Sequence, residues 1–449
     1  MRPALDTRQG IQMFLPPQSA VFTGLAACFL AACGGESRGV GGSGSEAVSV
    51  ASAASAPAVR PGVEVLLTDS AHLVAGRRVG LVTNHTGVYW AETGPEASAD
   101  EAVGHVIDAL FTSPDVELVA LYGPEHGIRG VAEAGARVDT EVDERTGVTV
   151  FSLYGETLRP TPDMLEGVEV LVFDMQDIGA RYYTYVSTMA YVMEAAGEAG
   201  IPFVVLDRPN PIRGDVVQGN ILDPAFASFV GLYPVPMRHG MTPGELARMY
   251  VAEYGIDVDL RVVPMEGWRR SMTYDETGLP WVPPSPNMPS LESALAYPGT
   301  CLFEGTPLSV GRGTDRAFQW VGAPWLDGDA LAAALEEYGF QGVRFEGVSF
   351  TPETPGDGKF GGEEIHGVRV VGESAAYDAS RVAVAMLVET RRASGSEWFW
   401  RDSHFDRLAG TDALRLGIEA GQSVDDLTDS WTEGLQRFEA TRAPYLIYP

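Results

Sequence analysis

Four acidic residues in the first half of the sequence follow apolar runs that are typical of β-strands. Cleavage of a glycosidic bond requires a carboxylic acid that protonates the leaving oxygen and a second group that attacks or activates water. A single acid after a strand is more often a turn or cap residue, so only the set supports this chemistry. Its members are Glu125 in the string Gly-Pro-Glu-His-Gly, Asp174 and Asp177 after a later run, and Asp207 after the next run.

An arginine and several tyrosines follow closely on Asp177. They are Arg181, Tyr182, Tyr183 and Tyr185. An arginine fork binds carboxylates, and aromatic faces stack on apolar faces of ligands. These residue types therefore suit a sugar that bears a carboxylate.

Several common cofactor and catalytic motifs are missing from the sequence. No G-x-G-x-x-G follows the first predicted strand, and no G-x-x-x-x-G-K-[ST] occurs, since Lys359 is the only lysine. The histidines lack H-x-x-x-H spacing, no G-x-S-x-G elbow occurs, and 3 cysteines are too few for a disulfide scaffold or a Cys-rich zinc site. The net charge of −30 disfavours nucleic-acid binding. We therefore expect no cofactor, no metal and no nucleic-acid partner.

Apolar, β-branched runs alternate with segments of helical period in the first half of the chain. This alternation predicts a parallel α/β sheet, and ligands of such sheets bind beyond the carboxyl ends of the strands. Thr242, Pro243 and Glu245 form a predicted capping box, which favours capping over catalysis for Glu245. The predicted strands cover residues 79–82, 116–121, 148–153, 168–173 and 203–206, and predicted helices lie near residues 103–111 and 184–199.

The chain changes character beyond about residue 265. A Pro-rich, aromatic stretch at residues 281–287 cannot be regular helix or central strand and predicts an ordered loop. Strand-like runs then return, followed by helical patterns. We therefore expect an α/β domain over residues 61–265 and a smaller α+β domain over residues 266–449.

The first 60 residues have the composition of a targeting segment and a linker. Residues 20–32 form an apolar run that is too short to span a bilayer and fits an export signal. Leu30-Ala31-Ala32-Cys33 resembles the bacterial lipoprotein processing box, although an ordinary cleaved signal peptide is the alternative. We predict a signal peptide over residues 1–33, lipidation of Cys33 and a flexible linker over residues 34–60. The protein would then lie in the cell envelope, touching the membrane only through its anchor.

Six long strings of the sequence are distinctive. They are LYGPEHGIRG (121–130), DMQDIGARYYTYVSTM (174–189), VLDRPNPIRG (205–214), PMRHGMTPGELA (236–247), PSPNMPS (284–290) and YPGTCLFEGTPLSVGRGTD (297–315). They resemble those of the bacterial exo-β-N-acetylmuramidases, which release N-acetylmuramic acid from the non-reducing end of peptidoglycan fragments. The resemblance covers about residues 61–449. It implies a Rossmann-like domain joined to a smaller one, with the active cleft between them, and hydrolysis without a nucleotide cofactor.

The resemblance also implies roles for individual residues. Glu125 is the leading candidate for the catalytic acid, and Asp177 and Glu304 compete for the second role. Assistance by the acetamido group of the sugar is a third alternative. The predicted substrate-binding residues are His126, Arg181, Tyr185, Asp207, Arg208, Asn210, His239 and Arg312. Among them, the lactyl carboxylate and the ring hydroxyls would be held by Arg181, Arg208, His239 and Arg312, and a hydrogen-bonding wall would be formed by Tyr185 and Asn210.

One position departs from the expected family pattern. His366 stands where relatives are expected to carry a cysteine, so Cys301 lacks a partner. We predict that Cys301 is a free, buried thiol.

Two alternatives to a muramidase remain at this point. A non-catalytic envelope lipoprotein could use the same crevice to retain muropeptides. An exo-hexosaminidase of relaxed specificity could accept neutral sugars as well.

Overall fold

Apolar, β-branched runs form the strands of the protein, whose computed structural model describes residues 59–91, 103–128 and 140–449. Strands covered on both faces carry continuous apolar residues, which is the pattern of the runs in the first half. The strands of the described residues are β1 (Arg77–Thr83), β2 (Val88–Trp90), β3 (Val103–His105), β4 (Val116–Gly123), β5 (Glu141–Val142), β6 (Thr149–Ser152), β7 (Val170–Asp174), β8 (Phe203–Leu206), β9 (Gln218–Ile221), β10 (Pro236–Arg238), β11 (Leu260–Val263), β12 (Trp320–Ala323), β13 (Val343–Phe350) and β14 (Ile365–Gly372).

The helices begin and end at recognisable sequence signals. The helix from Pro243 opens with the predicted capping box: Thr242 Oγ1 accepts from the Glu245 N–H, and the Glu245 carboxylate accepts from the Thr242 N–H. That prediction is confirmed. The helices are α1 (Gly62–Thr68), α2 (Val106–Thr112), α3 (Tyr185–Ala199), α4 (Pro243–Tyr254), α5 (Leu291–Thr300), α6 (Gly328–Glu336), α7 (Ala379–Ser394), α8 (Asp402–Ala409), α9 (Ala413–Glu419), α10 (Val424–Asp429) and α11 (Thr432–Arg442). Across the described ranges, none is long and apolar enough to cross a membrane.

The main sheet has the strand order β11-β8-β7-β1-β4-β6-β5. Its neighbouring strands pair in parallel, except for β5, which is antiparallel to β6. Without β5, the order corresponds to 3-2-1-4-5-6 in chain order, the arrangement of a Rossmann-like doubly wound sheet. The predicted fold class is therefore confirmed. The order reverses between β1 and β7, where such sheets bind their ligands.

A smaller α+β region follows the Pro-rich stretch, as predicted. Residues 281–290 contain neither helix nor strand, which confirms the predicted loop. An antiparallel sheet of order β12-β14-β13 comes next, and α6 packs against β13 and β14.

The two halves of the described chain share one hydrophobic core. A single buried cluster contains Met189 from α3 together with Phe303 and Phe405 from the later half. Val59 is also fully buried, beside Trp268 and Tyr448. The described part of the folded body therefore includes residue 59, next to the predicted linker end at residue 60. The predicted signal segment and Cys33 lie outside the described residues.

Candidate active site

A cavity of about 340 Å³ lies at the carboxyl ends of β4 and β7, beside the reversal of strand order. Glu125 and His126 reach it from the loop after β4, and residues 182–184 reach it from the loop between β7 and α3. Both halves of the chain are needed to build it. The later segments contribute Ser285, Asn287, Met288, Tyr297, Cys301, Glu304, Arg312, Phe318, Asp357, Arg401, His404 and Leu408.

Glu125 is fixed by a tight turn and by two hydroxyl groups. The Gly127 N–H donates to the Pro124 carbonyl at 2.9 Å, and His126 between them has a φ of 73°, which is strained for a residue with a Cβ. Thr184 Oγ1 donates to Glu125 Oε2 at 2.8 Å, and the Tyr154 hydroxyl hydrogen-bonds the same carboxylate. The loops after β4, β6 and β7 thus converge on this side chain.

Glu304 enters the cavity from the short helical turn Cys301–Gly305 and is paired with an arginine. Arg312 Nε donates to Glu304 Oε1 at 2.6 Å, and its guanidinium lies 5.2 Å from the centre of the Phe318 ring. Burial alone would raise the pKa of Glu304, but the charge and hydrogen bond of Arg312 outweigh it and hold that pKa below its usual value. Glu304 is therefore ionised at neutral pH.

Cys301 lies beside this pair and is a free, buried thiol, as predicted. Its Sγ is 3.7 Å from Glu304 Oε2. Burial raises the pKa of the thiol well above its usual value, and the neighbouring Glu304 charge adds to the effect. Cys301 is therefore a packing residue at neutral pH rather than a nucleophile.

Aromatic rings form much of the cavity wall. Tyr297 meets Tyr182, Tyr183 and Phe318 edge to face, with ring centres 5.6, 5.9 and 4.6 Å apart. Such a cluster resists deformation because each ring is held by the next. It offers rigid apolar surface to the apolar face of a sugar ring.

Asp177 does not line the cavity. Its Oδ1 accepts from the Gly179 N–H at 2.7 Å, so the carboxylate closes its own turn. Its Oδ2 is buried without a hydrogen-bond partner among the described residues, and burial raises the pKa of Asp177 to about 7. Its predicted place as the second catalytic group has no support in this geometry.

Arg181 is also absent from the cavity wall, although its neighbour Tyr182 lines it. The guanidinium is 2% exposed and donates to the carbonyls of Asn220, Val235, Leu408 and Ala409 at 2.8 to 3.1 Å. It joins the β9–β10 hairpin to the end of α8. Arg181 is thus engaged with backbone carbonyls and does not face the cavity, so this geometry gives no support to its predicted role as a clamp on a ligand carboxylate.

Asp207 is buried beneath the sheet edge rather than at the cavity. It accepts hydrogen bonds from the Thr242 hydroxyl at 2.7 Å, the Gly244 N–H at 2.8 Å, the Tyr448 hydroxyl at 2.6 Å and the Arg208 N–H at 3.0 Å. A Cβ on Gly244 would lie 2.8 Å from Asp207 Cγ, so only glycine allows this approach. Burial raises the pKa of Asp207 to about 7.

Arg208 forms a buried two-pronged pair with Asp174. Its Nε donates to Asp174 Oδ1 at 2.5 Å and its Nη2 to Oδ2 at 2.9 Å. Both side chains are at most 2% exposed. This pair ties the ends of β7 and β8 and leaves neither group facing the cavity.

The remaining predicted wall residues are likewise occupied by backbone groups. The Tyr185 hydroxyl donates to the Pro284 carbonyl at 2.5 Å, and Asn210 Nδ2 donates to the Met241 carbonyl at 3.0 Å. His239 Nδ1 accepts from the Met241 N–H, and burial lowers the pKa of His239 to about 3. These three side chains order the loops behind the cavity.

Four of the predicted site residues therefore reach the cavity: Glu125, His126, Glu304 and Arg312. The quoted strings include three further cavity residues, Ser285, Asn287 and Tyr297. The resemblance could therefore have indicated them, whereas their residue types alone could not. Arg401 and His404 lie outside those strings, and only the fold brings them to the site. No three His, Cys, Asp or Glu side chains of the described residues are grouped as metal ligands.

Two models of one protein family together match residues 79–292 and 295–448 of this chain. The model "Exo-beta-N-acetylmuramidase NamZ, N-terminal" matches residues 79–292, and its C-terminal counterpart matches residues 295–448. The peptidoglycan beta-N-acetylmuramidase NamZ of Bacillus subtilis (strain 168) is 46% identical over 394 residues, which are 87% of this chain and 92% of that protein.

Two crystal structures of DUF1343 family proteins from Bacteroides fragilis NCTC 9343 are also similar. One is 36% identical with a TM-score of 0.78, and the other is 30% identical with a TM-score of 0.67. Each alignment covers 87% of this chain and 99% of that structure.

Proposed function

Because the chain belongs to the exo-β-N-acetylmuramidase NamZ family, we propose that its cavity hydrolyses the bond at the non-reducing end of peptidoglycan fragments and releases N-acetylmuramic acid. The protein is a glycoside hydrolase. The observation that carries the assignment of the site is that Glu125 and Glu304 line the same cavity, where the Thr184 hydroxyl donates to Glu125 and the Arg312 guanidinium donates to Glu304.

Glu125 is suited to give and regain a proton. The hydroxyls of Thr184 and Tyr154 can donate to a carboxylate or accept from a carboxylic acid, so both protonation states of Glu125 can be hydrogen-bonded. We assign Glu125 as the general acid, which protonates the bridging oxygen as the glycosidic bond breaks. The strained turn at His126 keeps the carboxyl group of Glu125 at the cavity.

Glu304 is suited to remain charged throughout the reaction. A guanidinium only donates hydrogen bonds, so Arg312 favours the ionised form of Glu304 in every step. We assign Glu304 the second role, that of stabilising positive charge at the anomeric carbon in the oxocarbenium-like transition state. Water then bonds to that carbon and gives its proton to the Glu125 carboxylate, which restores the acid and yields free N-acetylmuramic acid and a shortened glycan.

The variant Glu125→Gln tests this assignment. With a disaccharide of N-acetylmuramic acid linked to N-acetylglucosamine, we expect turnover to fall about 100- to 10,000-fold, because the leaving sugar needs the proton. With the 4-nitrophenyl muramide the loss should be smaller, because nitrophenolate leaves without one. Turnover is followed by chromatography of released N-acetylmuramic acid and by absorbance of nitrophenol.

Glu292→Gln is the matched control, since Glu292 is an exposed glutamate in the first turn of α5. It should retain wild-type rates on both substrates. Equal rates for Glu125→Gln and wild type on the disaccharide would remove Glu125 from the mechanism. A 4-nitrophenyl glucosaminide assayed alongside separates a muramidase from a hexosaminidase of relaxed specificity.

We propose further that the protein is an envelope lipoprotein anchored through Cys33. The support is the Leu30-Ala31-Ala32-Cys33 string and the linker composition that follows it. A tether of about 27 residues has an end-to-end distance on the order of 30 Å. That reach would allow the cavity to meet glycan away from the membrane surface.

A further inference from the structure

Arg401 is a cavity-lining cation that no carboxylate of the described residues neutralises. The other charges there are largely matched: Arg312 is paired with Glu304, and Asp357 lies 3.8 Å from Lys359 Nζ. Lys359 Nζ also donates to the Leu308 carbonyl at 2.7 Å. The guanidinium of Arg401 therefore remains available to an anion that enters the cavity.

The backbone of Arg401 is fixed although its side chain is exposed. Its N–H donates to the carbonyl of Gly305, the residue after Glu304, at 2.9 Å. Arg401 also directly precedes α8. The adjacent acid does not neutralise it, since Asp402 lies 4.0 Å from Arg415 Nη1 instead. Arg401 is thus held close to Glu304, and no carboxylate in the described part of the chain pairs with it.

His404, one turn further along the chain, adds a neutral donor to the same wall. Its Nδ1 lies 3.1 Å from Arg407 Nη2, and because a guanidinium only donates, Nδ1 is the acceptor. A neutral ring that accepts at Nδ1 carries its proton on Nε2. The Nε2–H of His404 can therefore donate to a ligand oxygen.

We propose that Arg401, with His404 beside it, binds the lactyl carboxylate of the N-acetylmuramic acid unit and determines the specificity for muramyl over glucosaminyl ends. The proposal rests on the function proposed above. The lactyl ether is what distinguishes the two sugars, and its carboxylate needs a cation that is not already paired. Arg401 takes the place that the sequence assigned to Arg181, whose donors are all directed at backbone carbonyls or buried.

The test compares the binding of N-acetylmuramic acid with that of its lactyl methyl ester, which differs only by the loss of the negative charge. Dissociation constants are measured by ligand-observed NMR titration for the full chain and for Arg401→Ala and Arg401→Gln. In the wild type the acid should bind about 10- to 100-fold more tightly than the ester, as expected for one charge-assisted contact. In both variants the two ligands should bind with nearly equal affinity.

Arg437→Ala is the matched control, because it removes an exposed arginine that pairs with Glu433 on α11, outside the cavity. It should preserve the wild-type preference. A preference retained in both Arg401 variants, or absent from the wild type, would overturn the proposal. Failure of the proposed function has a different signature, namely a wild-type protein that releases no N-acetylmuramic acid from the disaccharide.

Discussion

At the scale of single residues, the structure separates acids that share a sequence context. Glu125 and Asp177 both follow buried strands and precede glycines, yet one lines the cavity and the other turns back on its own loop. The difference lies in the partners of each carboxylate. Glu125 meets hydroxyls from two other loops, whereas Asp177 accepts the N–H of Gly179.

Asp177→Asn should alter the pH dependence of stability while leaving turnover of the muramide within about 3-fold of wild type, since the group lies off the cavity. Burial raises the pKa of Asp177 to about 7 in the folded chain, above its usual 3.8. The folded state therefore holds this proton more tightly, and the stability that it contributes is lost as pH rises from about 4 to about 7. The variant should lose less stability across that window than the wild type, as measured by melting temperature.

Asp177→Asn should remove only part of the pH dependence of stability. Burial also raises the pKa of Asp207 to about 7, and this group makes stability fall with rising pH in the same way. Turnover that collapses in Asp177→Asn, with melting curves like those of the wild type, would instead return Asp177 to the second catalytic role.

Residue chemistry and the family strings correctly placed Glu125, Glu304 and Arg312 at the cavity. They also placed Arg181, Arg208 and His239 there, and these three do not line it. Polarity in a sequence does not indicate whether the partner of a side chain is a ligand or a backbone carbonyl. Sharp loops at strand ends expose many carbonyls, and buried arginines satisfy them.

At the scale of elements, Arg181 is one of the links between the β9–β10 hairpin and the end of α8. Arg181→Met keeps much of the volume but removes a donor from four backbone carbonyls, of which Val235 and Ala409 keep another donor. We therefore expect the free energy of unfolding to fall by about 2–4 kcal/mol. Urea unfolding monitored by circular dichroism measures the change. Arg437→Met on the surface is the control and should unfold as the wild type does.

The outcome also decides between two roles for this arginine. If Arg181→Met kept wild-type stability and instead bound N-acetylmuramic acid no better than its methyl ester, Arg181 would be the ligand clamp that its sequence position suggested.

The central strands were predictable because burial on both faces demands continuous apolar runs, and each predicted run overlaps β1, β4, β6, β7 or β8. Short strands such as β5 and the β9–β10 pair have no such signature. Gln218, Gly219 and Asn220 in β9 owe their pairing to tertiary contacts, including the hydrogen bond from Asn220 Nδ2 to Ala409.

At the scale of the whole molecule, the proposed anchor determines where the enzyme acts. Cys33→Ala should move the protein from the membrane fraction to the soluble fraction of the native bacterium, because the acylated thiol is lost. Immunoblotting of the fractions and metabolic labelling with an alkyne fatty acid measure the change, and Cys28→Ala is the control. Labelling that persists in Cys33→Ala would contradict the lipoprotein assignment.

The hydrogen bond from Tyr448 to Asp207 connects residues 241 positions apart in the chain. A second hydrogen bond joins the same two parts of the chain, from the Arg270 N–H to the Pro449 carbonyl at 3.0 Å. Asp207 therefore gains its phenol partner only once the segment that carries Tyr448 has packed against the Rossmann-like half. A chain cut short before residue 448 would keep a buried carboxyl without this donor.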